Sequence, residues 1–166
     1  MHESSMKHMS DFVNENLNKD MPLCILDIGA SDIHGAYRPL FNSNPLWKYT
    51  GLDIVAGANV DIVASHEHHY PVGDSSFDVV VSGQVLEHVE DIYAFADEIY
   101  RIVKPGGMVC IIAPCVWNEH KFPHDCWRFY PDGLRFLFVK KAKFKEVKIF
   151  YIWNGPDCVA ILKKPE

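Results

Sequence analysis

The chain has 166 residues, 48% of them hydrophobic and 23% charged, the size and make-up of one globular domain with a real core. Its formal charge of −6 argues against a general nucleic-acid binder, which needs clustered Lys and Arg. No apolar run approaches the roughly 18 residues of a membrane span, no secretion signal is visible, and five cysteines without a CxxC pair read as reduced thiols of a cytoplasmic protein.

The spacing of Met6, Met9, Phe12, Val13 and Leu17 predicts an amphipathic helix over about 4–19, closed by Asp20 and Pro22. Leu23 to Ile28 is a short apolar run ending at glycine and reads as a buried strand. A short helix is expected from Gly35 to Phe41, weakened by Pro39. Tyr49 to Ile54 and Val60 to Ala64 read as strands. The gap between them is too short for a crossover helix, so one helix of a regular α/β repeat is expected to be missing.

Phe77 to Ser82 is a strong buried strand. Asp91 to Val103 is an amphipathic helix stopped by the turn Lys104-Pro105-Gly106-Gly107. Met108 to Ala113 is the next strand, and Pro131 to Phe138 a helix with proline at its start. Phe144 to Trp153 and Cys158 to Leu162 flank Asn154-Gly155-Pro156-Asp157, a hairpin signal. The alternation predicts a single α/β domain over 1–166, its core at about 23–164. The sheet should hold seven strands, mostly parallel, with an antiparallel C-terminal strand.

Ligands of open α/β sheets sit beyond the carboxyl ends of the strands. The first such end is Leu26-Asp27-Ile28-Gly29-Ala30-Ser31-Asp32, where Gly29 permits close backbone approach and Asp27 is an acid at the end of an apolar strand. Asp53 follows Gly29 at the spacing of a ribose-binding acid. Asp27 and Asp53 also suit plain turn caps. A nicotinamide dinucleotide is disfavoured, because Ala30, Ser31, Asp32, Ile33 and His34 stand where G-x-G-x-x-G needs glycines.

Leu26-Asp27-Ile28-Gly29, Gly51-Leu52-Asp53-Ile54, Ser76-Phe77-Asp78-Val79-Val80, Val85-Leu86-Glu87-His88-Val89 and Val103-Lys104-Pro105-Gly106-Gly107 occur in one order. In that order the chain resembles the Rossmann-like, class I S-adenosylmethionine-dependent methyltransferases over about residues 23–138. The segment Trp127 to Leu134 is similar to a subgroup of small members associated with glycan or secondary metabolism. The resemblance implies that Asp27, the Gly29-Ala30 backbone and Ser31 hold the methionine end of S-adenosylmethionine. It implies that Asp53 accepts the ribose hydroxyls, Ile54 packs on adenine, Ser65 or His66 reaches the adenine edge, and Ser82, Gly83 and Gln84 line the methionine part. The chain departs from the family in having Ser31 and Ile33 where further glycines are usual, and Ser65-His66-Glu67-His68-His69 where Asp is usual.

On the acceptor side, His88 is a candidate general base, since imidazole titrates near neutrality, or a packing residue at the helix start. His124 and Asp125 are candidate proton acceptors, and His120, Trp127, Arg128 and Tyr130 candidate substrate contacts. Asp125 and Arg128 also suit a simple ion pair. The cluster His66-x-His68-His69, even with His120 or His124, completes no recognisable metal motif, so no metal site is expected. The Lys140, Lys141, Lys143, Lys145 and Lys148 run reads as a solvated face. The leading expectation is O- or N-methyl transfer to a small molecule or sugar by a monomer or homodimer, without nucleic acid or membrane. The competing expectation is a weak or inactive cofactor-binding partner of another enzyme, motivated by the reduced scaffold.

Overall fold

Each apolar run that ends in glycine or aspartate forms a strand of one sheet in the computed structural model, which describes residues 3–31, 35–66, 68–153 and 155–166. Asp32, Ile33 and His34 of the first turn, Glu67 of the His-rich segment and Asn154 of the hairpin signal lie outside the described residues. The strands are β1 (Leu23–Ile28), β2 (Trp47–Asp53), β3 (Ile62–Val63), β4 (Phe77–Gly83), β5 (Val103–Pro114), β6 (Lys145–Tyr151) and β7 (Asp157–Lys163). Their order is β3-β2-β1-β4-β5-β7-β6, and β7 runs antiparallel to both its neighbours. The fold is thus the expected seven-stranded α/β sheet.

Helices α1 (Glu3–Asn16), α2 (Arg38–Asn42), α3 (Ile92–Ile102) and α4 (Pro131–Leu134) cover the faces, and α4 runs on as a π-helical segment, Arg135–Lys141. Strand alternation splits the core in two. Leu26, Ile28, Val80 and Ile111 pack with Phe95, Ile99 and Phe138 on one face. Ile25, Val79, Val81 and Ile112 pack with Met9, Phe12 and Phe41 on the other. The Asp91 carboxylate accepts hydrogen bonds from the Tyr93 and Ala94 N–H groups and so caps α3. No described helix is long and apolar enough to cross a membrane.

Several boundaries differ from expectation, four of them for a clear local reason. The helix expected from Gly35 starts at Arg38, and Pro39 sits in its first turn, where the missing N–H costs nothing. β3 shrinks to two residues, because Asp61 is drawn into a turn. Its N–H donates to the Gly51 carbonyl at 2.8 Å, and its carboxylate accepts from the Gly51 N–H at 2.7 Å and from Arg38. The Lys104–Gly107 stretch is not a separate turn: β5 begins at Val103, paired with Phe77, and a register shift absorbs the glycines. The helix from Pro131 runs on to Lys141, because Ala142 closes a wide turn onto the Leu137 carbonyl. The helix expected to be missing between β2 and β3 is absent.

Candidate functional site

The chain leaves β1 for β2 on one side, while β4 pairs with β1 on the other. The carboxyl ends of β1 and β4 therefore flank the crevice where such sheets bind ligands. Gly29 turns out of β1 at φ +84°, and a Cβ there would meet Val85 Cγ2 at 2.0 Å. Only glycine satisfies both conditions. The Gly29 and Ala30 N–H groups donate to the Leu52 carbonyl at 2.8 and 3.1 Å. They brace β1 against β2.

Asp53 closes β2. Its Oδ2 accepts from the Ser31 N–H at 3.0 Å and its Oδ1 from the Val55 N–H at 3.1 Å. Each carboxylate oxygen has room for a second hydrogen bond, which suits a pair of neighbouring hydroxyls. Ile54 and Val55 stand exposed beside it, at 40% and 60%. Ser65 and His66 are exposed after β3. That loop is held in place from α3, where Glu98 accepts from the Tyr70 N–H at 2.7 Å and Arg101 donates to the Val72 carbonyl at 2.9 Å.

Asp27 is buried, and the Tyr49 hydroxyl donates to it. Burial pushes its carboxyl up to about 7, the Tyr49 bond and Arg38 opposing and Asp53 adding to the rise. Asp27 therefore lies inside the sheet with the Tyr49 hydroxyl as its partner. At the end of β4, Ser82 is buried and donates to the Ile28 carbonyl at 3.0 Å, so its hydroxyl ties β4 to β1. Gly83 leaves room for Tyr37, whose hydroxyl would lie 2.1 Å from a Cβ at that position. Gln84 is half-buried and donates to Asp157 Oδ1 at 2.8 Å.

The loop after β5 folds back over the turn before α3. The Cys126 N–H donates to the Glu87 carbonyl at 2.7 Å and the Trp127 indole N–H to the Val89 carbonyl at 2.9 Å. This brings His88 and His120 together, ring centroids 5.0 Å apart, with Phe122 edge-on to both. Burial holds the His88 imidazole below its ordinary value. His124 joins through its backbone: its carbonyl lies 2.6 Å from His88 Nδ1, while its exposed ring faces Glu90.

Asp125 is bound by both terminal nitrogens of Arg128 and by the His120 N–H at 2.7 Å. The Arg128 guanidinium holds its carboxyl well below the usual range, so Asp125 is a weak proton acceptor. Arg128 likewise faces Asp125 and the loop carbonyls instead of open solvent. Trp127 and Tyr130 are exposed, and Tyr130 packs edge-on against Tyr151 at 6.0 Å. Trp117 and Phe122 are exposed too, so the loop after β5 carries a row of exposed aromatic side chains.

Residues 26–111 match the methyltransferase domain family. The chain belongs to the class I S-adenosylmethionine-dependent methyltransferases. The methyltransferase match runs from β1 into β5 and so contains Gly29, Asp53, Gly83 and the Glu87-His88 pair. Among relatives, 99 residues are 31% identical to 2-methyl-6-phytyl-1,4-hydroquinone methyltransferase 1, chloroplastic, of Oryza sativa subsp. japonica, covering 57% of this chain and 30% of that one. The arsenite methyltransferase of Halobacterium salinarum is 30% identical over 108 residues, covering 65% of this chain and 27% of that one. The chain thus spans about a third of the length of these relatives. The Burkholderia thailandensis 1,6-didemethyltoxoflavin-N1-methyltransferase structure, solved with 1,6-didemethyltoxoflavin and S-adenosylhomocysteine, superposes with a TM-score of 0.75. It is 19% identical, with 99% of this chain and 80% of that chain covered.

Within this methyltransferase domain, sequence reasoning passed over Tyr49, Tyr37 and Glu87. The β1–β2 register places Tyr49 opposite Ile25, within reach of Asp27, and no sequence signal gives that register. Glu87 is fully buried, whereas an acid next to a helix start reads as surface. A cleft of about 540 Å³ between α1 and α2, lined by Val13, Leu40 and Trp47 among others, shares no residue with the crevice.

Proposed function

We propose that this domain transfers a methyl group from S-adenosylmethionine to a small-molecule acceptor, sugars included, at an oxygen or nitrogen atom. The carrying observation is the edge that joins Gly29, the two half-engaged oxygens of Asp53 and the exposed Ile54, all within the family match. This donor set fits the cofactor: Asp53 would hold a ribose diol, Ile54 and Val55 an adenine face, and Ser65 or His66 an adenine edge. Gly29 would let the backbone approach the methionine part, with Gln84 on the far side of the crevice. When bound, S-adenosylmethionine supplies a methyl group already activated on a sulfonium.

The protein's own work is then alignment and exclusion of water. The aromatic row of Trp117, Phe122, Trp127 and Tyr130 supplies flat apolar faces for an acceptor, and the Asp125–Arg128 pair fixes the loop that carries them. The relatives are named for small acceptors (a hydroquinone, arsenite and 1,6-didemethyltoxoflavin), which supports this substrate class. The bare connection between β2 and β3 favours a second reading, in which a partner protein completes the acceptor side.

The test is transfer of a labelled methyl group from S-adenosylmethionine to a panel of hydroxylated, amino and sugar acceptors. Turnover on any small acceptor by the isolated chain supports the first reading. Cofactor binding with no turnover on any of them supports the second.

A further inference from the structure

Glu87 presents an unusual arrangement. Its side chain is fully buried, and among the described residues neither carboxylate oxygen accepts a hydrogen bond from another residue. A buried carboxylate without such partners costs several kcal/mol, roughly, unless it takes up a proton or a cation meets it; burial pushes the Glu87 carboxyl up to about 8, with Arg128 opposing and Asp125 adding to the rise. What faces it are two ring nitrogens: His88 Nε2 and His120 Nε2, each 3.7 Å from Glu87 Oε1.

Both rings are held with these nitrogens free. His88 Nδ1 lies 2.6 Å from the His124 carbonyl, and His120 Nδ1 lies 3.1 Å from the Asn118 carbonyl. A carbonyl only accepts, so Nδ1 carries the proton in each neutral ring and Nε2 keeps its lone pair. His120 Nδ1 also lies 3.5 Å from Asp125, which Arg128 clamps. A ring nitrogen tied to a carbonyl or carboxylate, with the other nitrogen free, is how metal-bound histidines are oriented. The three donor atoms lie within 4.8 Å of one another. In a tetrahedral site with bonds near 2.1 Å, donors stand roughly 3.4 Å apart, close to the 3.7 Å from Glu87 Oε1 to each Nε2.

We propose that Glu87, His88 and His120 bind one divalent transition-metal ion of the zinc type. The two histidines, in the turn before α3 and in the loop after β5, are partly exposed, which gives an ion a way in. Three protein ligands leave a fourth position open, and such a position takes an oxygen-bearing molecule. The identity of that molecule as the methyl acceptor rests on the transferase reading; metal binding does not. The exposed His66, His68 and His69 take no part in the cluster.

The experiment is calorimetric titration of ZnCl2 into tag-free, chelator-treated protein without S-adenosylmethionine, repeated with CoCl2 to read the tetrahedral absorption. Circular dichroism checks the fold of Glu87→Gln and His120→Ala. One equivalent should bind, with affinity falling at least about tenfold in each folded variant. His120 lies on a partly exposed loop, so His120→Ala keeps the test open if Glu87→Gln misfolds. No stoichiometric binding to folded wild-type protein, or binding unchanged in the variants, overturns the proposal. A separate S-adenosylhomocysteine titration of the metal-free protein shows whether the cofactor reading stands or falls independently.

Discussion

Arg128 grips Asp125 with two parallel hydrogen bonds, Nη1 to Oδ1 and Nη2 to Oδ2, the latter at 2.8 Å. The same guanidinium reaches the Trp117 and Asn118 carbonyls, so one side chain ties both ends of the loop after β5. Asp125 in turn holds the His120 N–H. The pair organises the loop after β5.

Arg128→Ala should therefore loosen the loop and leave a buried carboxylate unpaired. A loss of about 2–4 kcal/mol in urea unfolding is expected, with faster proteolytic cleavage between residues 117 and 128. Arg128→Lys should recover little, because an ammonium cannot make the paired contact. An unchanged midpoint and cleavage rate would contradict this role.

Asp27 gives a pH signature. Its carboxyl rises from 3.8 to about 7 on folding, chiefly through burial. Below the unfolded value both states are protonated, and the raised pKa has no effect. As pH climbs to about 7 the folded state keeps a proton that the unfolded state has lost, so stability falls; above that the loss levels off. Asp27→Asn should flatten this slope and raise stability at pH 8 by about 2–4 kcal/mol, with little change at pH 4. Thermal unfolding from pH 4 to 8 reads it. Parallel curves for the two proteins would show that Asp27 does not titrate in this range.

Gly29 is a test of the turn. Alanine there must adopt positive φ and displace Val85. A cost of about 2–4 kcal/mol is expected from the strain and the overpacking together. Gly73 has nothing within 4 Å of a built Cβ, so Gly73→Ala should be near neutral. Equal effects at the two positions would contradict the close packing of Gly29 on Val85.

Much of this fold is legible in the sequence, because buried parallel strands are short apolar runs with abrupt polar ends. Leu23–Ile28 and Phe77–Gly83 show this most clearly. The missing helix after β2 is a matter of chain length alone. What the sequence hides is long-range geometry. Pro105 and the paired glycines after it suggest a stop, yet Val103 already pairs with Phe77 across the sheet. Ser82 stands at a strand end in the sequence, and only the fold shows its hydroxyl donating to the Ile28 carbonyl. Glu87 and His120 lie 33 positions apart, and only the folded-back loop makes them neighbours.

The most direct measurement is a calorimetric titration of S-adenosylhomocysteine into the wild-type chain and Asp53→Ala. Micromolar binding that weakens about tenfold to a hundredfold in the variant, equivalent to about 1–3 kcal/mol of hydrogen bonding to a charged group, is the predicted result. Absence of binding to well-folded wild-type protein, or equal affinity in both, would contradict a cofactor site at the β1–β2 edge.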